Sequence, residues 1–286
     1  MANSIKLKLD TSKYDTPTQE DINAAKQFIL QREEYARLLE GRVDEILNES
    51  AERIVIICYR YNVDPKHLYF GSGFNEQMMD EISFVMDETE QEIIDIINEY
   101  STVVTNDKDR INALLLWMAT LGRGNKNLQE TLDGYLFKFM KDLEAAVAAL
   151  RYANATMAEA VTKVKTHLHT IYTMPEVVAA FKEASTFAAT YIQSKGVQKG
   201  VVGLPKNGST NVTKMARVTL QMAWMRSYRM DFEESGAVGF YVLRGSSYPC
   251  SLCDSKVGFH VIDETDCFPP FHPNCCCYVI PIQGIE

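Results

Sequence analysis

The chain is 286 residues long, 46% apolar and 23% charged, with a formal net charge of −9. That composition excludes a disordered chain and leaves room for one large core or two. The longest strongly apolar runs, Ile54–Cys58 and Ala113–Leu116, fall far short of a membrane span, and Met1–Asp10 holds two lysines and no apolar run, so neither an anchor nor a signal peptide is expected.

Thr16-Pro17-Thr18-Gln19 supplies a helix N-cap, a proline at the first helical position and a capping-box partner. Ile22, Ala25, Phe28, Ile29, Leu39, Val43, Ile46 and Leu47 then recur near helical spacing, which predicts a helix to about Tyr61. Cys58, in the run Ile54–Cys58, reads as a small buried hydrophobe. After turn signals at Asn62–Pro65 and Gly71–Gly73, a second helix is predicted over 75–100, with Met78, Ile82, Val85, Ile93 and Ile97 on its apolar side. Its other side is acidic: from His67 to Asp107 there are ten Asp and Glu and no Lys or Arg. Further helices are predicted from Asp107 to Leu121, Asn127 to about Asn154, Ala155 to Ile171 and Pro175 to Ser194. His167 and His169 fall on a helix at i, i+2, a spacing that does not face one metal ion.

Lys195–Asn211, with glycines at 196, 200, 203 and 208 and a proline at 205, reads as a linker; it lacks the Walker spacing of a phosphate loop. One more helix is predicted from Val212 to about Phe232. Gly239–Leu243 and Tyr278–Ile282 are short β-prone runs. The expected fold is therefore mainly α: an elongated helical N-terminal region (1–194), a Gly/Lys linker (195–211) and a small α+β cysteine-rich C-terminal module (212–286).

Six of the seven cysteines lie between 250 and 277. An odd number gathered at one end does not suit a secreted disulfide framework and favours a reducing cytosol. Cys250-Ser-Leu-Cys253 and His272-Pro-Asn-Cys275 both have the i, i+3 spacing that turns two ligands toward one ion. Cys250, Cys253, His272 and Cys275 are the expected clasp for a structural Zn2+, with Cys277 competing for a place. Cys275 and Cys277 are expected to point to opposite faces of an extended backbone. Cys267 and Cys276 read as spectators, and His260 as a substitute for His272 without a cysteine partner of its own.

The stretch from Thr213 to Ile282 resembles the C-terminal domain of the Mu F-like minor head proteins of tailed bacteriophages, the phage head morphogenesis proteins. The residues that carry the resemblance are the helix Ala216–Ala223, the Gly236/Gly239 turn into Phe240–Leu243, Cys250-x-x-Cys253 followed by Gly258, and Pro269-Pro270-x-His272-Pro273-Asn274-Cys275-x-Cys277. The family usually has arginine where this chain has Cys276, and tryptophan and aspartate ahead of the first cysteine, where this chain has Tyr241 and Ser246-Ser-Tyr248. The resemblance implies a non-enzymatic virion protein near the portal vertex, made in the host bacterial cytoplasm. It would act in head assembly and in DNA packaging or delivery, with portal or major capsid protein as partner. An acidic stretch and a basic one in the same chain also suit contacts between copies in a homo-oligomer.

Two other readings remain open. From Ala184 to Met230 there are seven Lys and Arg and no Asp or Glu. A zinc-held DNA-binding module would use Lys214, Arg217, Arg226 and Arg229 against phosphates. A nuclease of the His-Asn-His type would need His260 or His272 as general base and a second set of metal ligands.

Overall fold

The computed structural model describes residues 17–62, 75–121, 126–182, 207–272 and 274–284. The turn signals at 63–73, the end of the helix begun at Pro175 and most of the predicted linker lie outside them. The fold is mainly α with one small sheet near the C-terminus. In chain order it comprises α1 (Gln19–Arg60), α2 (Glu76–Thr102), α3 (Lys108–Thr120), α4 (Leu128–Tyr152), α5 (Met157–Thr166), a 3-10 turn (Ile171–Thr173) and α6 (Pro175–Lys182). These are followed by α7 (Gly208–Glu234), β1 (Gly239–Leu243), α8 (Ser251–Asp254), β2 (Gly258–Val261), a second 3-10 turn (Thr265–Cys267) and β3 (Tyr278–Ile282).

Two compact units divide the chain. The first takes Met1–Ala36, Ser101–Leu114 and Leu220–Glu286, and the second Arg37–Tyr100 and Leu115–Thr219. In the second unit, α1 buries Leu39, Val43, Leu47, Ile54 and Cys58, and α2 buries Met78, Ile82, Val85, Ile93 and Ile97. Burial pushes the Cys58 thiol up to about 12, as suits a packed and unreactive side chain. Between the two helices the Ser50 and Thr89 hydroxyls meet at 2.6 Å, out of solvent. The acidic side of α2 is partly neutralised by α1, through Arg53–Glu88 at 2.6 Å and Arg60–Glu81.

Helix starts follow their capping residues. Asn127 with Glu130 and Thr156 with Glu159 form complete capping boxes for α4 and α5. Asp107 Oδ1 accepts from Asp109 N and Arg110 N at the start of α3. Helix α1 begins two residues later than predicted. Its box is Thr18 with Asp21: Thr18 Oγ1 accepts from Asp21 N at 3.2 Å, and Asp21 Oδ2 accepts from Thr18 N at 2.8 Å. Those bonds from Thr18 hold the Asp21 carboxyl below its ordinary range.

Two further expectations are corrected. Helix α5 ends at Thr166, so His167 and His169 lie in a turn and not on a helix. His169 Nε2 there sits 3.1 Å from Asp44 Oδ1. Helix α7 begins at Gly208, four residues before the predicted start, because a distant residue caps it. Asp142 of α4, 1% exposed, accepts from Gly208 N at 2.6 Å. The close approach also needs a glycine, since a Cβ at 208 would stand 2.2 Å from Phe139 N. At the other end of α7, Gly236 (φ 73°) takes the left-handed conformation, and Ala237 N reaches back to Phe232 O at 3.0 Å, closing the helix.

In the first unit β1 is the central strand of an antiparallel sheet ordered β2-β1-β3. Phe240 stands opposite His260 and Pro281, and Val242 opposite Gly258 and Val279. The two β-prone runs form β1 and β3 with the expected bounds, whereas β2 has no counterpart among the predicted elements. The core beneath includes Phe240, Val242, Val279 and Ile280 together with Met225 and Phe232 of α7 and Ala25 and Ile29 of α1.

Candidate metal centre

After β1 the chain makes a single helical turn, α8, and Cys250 is its N-cap. Cys250 Sγ accepts from Cys253 N at 3.5 Å, while Cys250 O accepts from Asp254 N at 2.8 Å. Such a turn aims both sulfurs the same way, as the i, i+3 spacing predicts. A second turn mirrors it: Cys275 N donates to His272 O at 2.9 Å.

The two turns face each other. His272 Nε2 lies 3.4 Å from Cys250 Sγ and 3.0 Å from Cys253 Sγ. The sulfurs of Cys253, Cys275 and Cys277 form a second group, all within 4.8 Å of one another. Cys253 belongs to both, so the two groups together hold five donors, one more than a tetrahedral ion takes. With metal–sulfur and metal–nitrogen bonds of about 2.3 and 2.0 Å, two ligands of one tetrahedral ion stand roughly 3.5 Å apart. The observed spacings need only small adjustment, and thiolates with imidazole suit a transition-metal ion. These residues can hold a metal ion.

The expected divergence of Cys275 and Cys277 does not occur. Alternate residues of an extended backbone share a face, so the period of the chain itself turns both inward and turns Cys276 away. Cys275 and Cys277 are buried, and Cys276 is half-buried. Among the described residues, Cys267 lies outside both groups around Cys253, as expected.

The thiols do not titrate alike. Cys275 is held down to about 5, chiefly because the Cys277 thiol donates to it. Cys277, whose proton is shared in that contact, is pushed far up. Burial pushes Cys253 up to about 12, and the Cys253 N–H bond draws Cys250 down. In the metal-free protein burial therefore favours the protonated form of Cys253, and Cys275 and Cys277 share a proton between them.

A cleft of about 400 Å³ leads to the cluster, lined in part by Cys250, Cys253, His272 and Cys277. Beside it Arg244 pairs with Asp254 and with the Tyr248 carbonyl, tying the chain between β1 and α8. Gly245 lies so close that a Cβ there would stand 1.8 Å from Cys276 O. On the buried side, fully buried Arg32 of α1 donates from Nη2 to Cys275 O at 2.7 Å. No local sequence signal marks Arg32 or Arg244 as parts of this site.

The four candidate phosphate contacts have different surroundings. Arg217 donates to Glu40 at 2.9 Å, and Arg229 to Glu233 and to Ile262 O, both at 2.8 Å. Arg226 is 4.0 Å from Glu233, and Lys214 is exposed. His260 stands apart from the Cys253 cluster, with Nδ1 2.7 Å from Glu264 Oε2 and Nε2 2.8 Å from Lys256 O. It does not replace His272. No described helix is long and apolar enough to cross a membrane.

Comparison with protein-family models, with curated proteins and with solved structures finds no match.

Proposed function

We propose that this chain is a non-enzymatic structural protein of a tailed-phage head, whose C-terminal module is fastened by one Zn2+ held by Cys250, Cys253, His272 and Cys277. The observation that carries the reading is the convergence on Cys253 of two turns 19 residues apart, Cys253 to His272, inside the core of a three-stranded sheet. A sheet of strands four or five residues long buries little by itself, and an ion joining its connections supplies what the core does not. Cys277 is favoured over Cys275 because it lines the same cleft as the other three ligands. With four protein ligands such an ion keeps no position for substrate, which supports a structural role.

The head assignment rests on the resemblance of residues 213–282, and the portal or major capsid protein is the partner it suggests. The DNA-binding alternative has less support, since Arg217 and Arg229 are engaged within the protein. Co-expression with the portal and capsid proteins of the same genome tests the assignment. We expect the chain to copurify with assembled heads or portal rings at a fixed low copy number. A chain absent from particles, or one that cleaves DNA when Mg2+ or Mn2+ is added, would contradict it.

A further inference from the structure

We propose a second metal site, separate from the Cys253 cluster, formed by His260, Glu264 and Cys267 and suited to a borderline divalent ion of the zinc or cobalt kind. One ring nitrogen of His260, a carboxylate oxygen of Glu264 and Cys267 Sγ all lie within 4.8 Å of one another. Their elements are fixed. His260 is in β2, paired opposite Phe240 of the central strand. From β2 the backbone turns twice, Glu264 N donating to Val261 O and Cys267 N to Glu264 O, both at 3.0 Å. Buried Arg229 of α7 holds this turn through Ile262 O at 2.8 Å. One short segment thus presents nitrogen, oxygen and sulfur donors to a common point from a backbone already tied down.

The hydrogen bonding of His260 points to a cation there. Nε2 lies 2.8 Å from the Lys256 carbonyl, which can only accept, so Nε2 carries a proton. Nδ1 faces Glu264 Oε2 at 2.7 Å. A neutral imidazole and a carboxylate would set two lone pairs against each other, so positive charge must lie between them. A second proton on the ring meets that need for the pair alone. A metal ion meets it and would also engage the Cys267 sulfur. An imidazole that donates its remote N–H to a backbone carbonyl and turns its other nitrogen inward is the usual support of a metal-bound histidine. Lys256 Nζ, 3.5 Å from Cys267 Sγ and 2.9 Å from Asp266, offsets only part of the burial that pushes the Cys267 thiol up, so an ion must displace both that proton and the ammonium group. Glu264 is exposed and gives the ion access from solvent. Three protein ligands leave one tetrahedral position to water, so this site is open where the Cys253 cluster is closed.

Titration of the reduced, metal-free full chain with Co2+ tests the proposal, following sulfur-to-cobalt charge transfer and the visible bands. Wild type should bind two equivalents, the second with the weaker one-thiolate spectrum. His260→Gln and Cys267→Ala should abolish that second step and leave the first unchanged. Glu264→Gln, at an exposed position that disturbs no core, should weaken it at least about tenfold. A single equivalent, lost in Cys253→Ser and kept in His260→Gln, would overturn the second site. So would a second step unaltered in both His260→Gln and Cys267→Ala. A single equivalent lost in His260→Gln but kept in Cys253→Ser would support this site and count against the Cys253 clasp.

Discussion

Arg32 and Cys275, 243 positions apart, are joined by a hydrogen bond of 2.7 Å from the guanidinium to the backbone carbonyl. The arginine is fully buried, and Nη1 has no hydrogen-bond partner among the described residues. Its Nη2 also reaches Glu33 Oε1 at 2.9 Å. A side chain so costly to desolvate is held by what it fixes: the strand of chain that carries Cys275 and Cys277 into the core.

Replacing Arg32 should therefore destabilise the first unit while leaving every metal ligand in place. Arg32→Ala is expected to cost about 3 kcal/mol, because it opens a cavity and leaves the Cys275 carbonyl unpaired. Arg32→Met, which fills the volume, should cost less. Urea unfolding followed through buried Trp224 reads both. A loss below about 0.5 kcal/mol in Arg32→Ala would show that the contact contributes nothing.

The cysteine variants should separate into distinct classes. Cys253→Ser is expected to abolish metal binding at the clasp, because Cys253 is the one donor common to both groups. Cys276→Ser should bind as wild type does, its sulfur being turned away toward Asn274 O. Cys277→Ser should weaken binding more than Cys275→Ser. Elemental analysis after dialysis checks each, and the reverse order for the last two would make Cys275 the fourth ligand.

In the second unit the start of α7 depends on Asp142 and Gly208. Asp142 accepts from Gly208 N, from Lys138 Nζ at 2.9 Å and from the Tyr172 hydroxyl. Burial raises its carboxyl pKa all the same, so desolvation outweighs those three donors. Asp142→Ala should still cost about 3 kcal/mol, since it leaves buried donors unpaired. Gly208→Ala forces a methyl onto the α4 backbone and should cost at least about 2 kcal/mol. Thermal unfolding compared with an exposed control such as Lys214→Ala measures both.

These contacts mark the boundary of what the sequence displays. The two ligand turns are legible because each is closed within four residues, by bonds from Cys253 N to Cys250 Sγ and from Cys275 N to His272 O. The long helices are legible from the spacing of Met78, Ile82 and Val85 and their like. Strand β2 is not: Gly258-Phe-His-Val261 is four residues long and half-buried throughout, so no alternation marks it. The cap of α7 is not either, because its acceptor lies 66 residues away and a local reading finds only glycine and polar residues there. Arg32 looks like one more charge on an amphipathic helix until the strand it reaches is in place.

Proton release on metal binding tests the burial of Cys253. Thiols must lose their protons to bind an ion. Burial holds the Cys253 thiol above its ordinary range in the metal-free protein. Cys275 and Cys277 share one proton through their contact, and whichever of them stays off the ion keeps it, so that pair adds little to the count. At pH 7.5 binding should therefore release about one proton from Cys253, beyond whatever fraction Cys250 contributes. The protonated site favours the metal-free state, so affinity should rise with pH, by about tenfold between pH 7 and 8 at one decade per proton. Calorimetry in buffers of different ionisation enthalpy counts the protons directly. A count near zero would mean that Cys253 is ionised before the metal arrives, contrary to its burial.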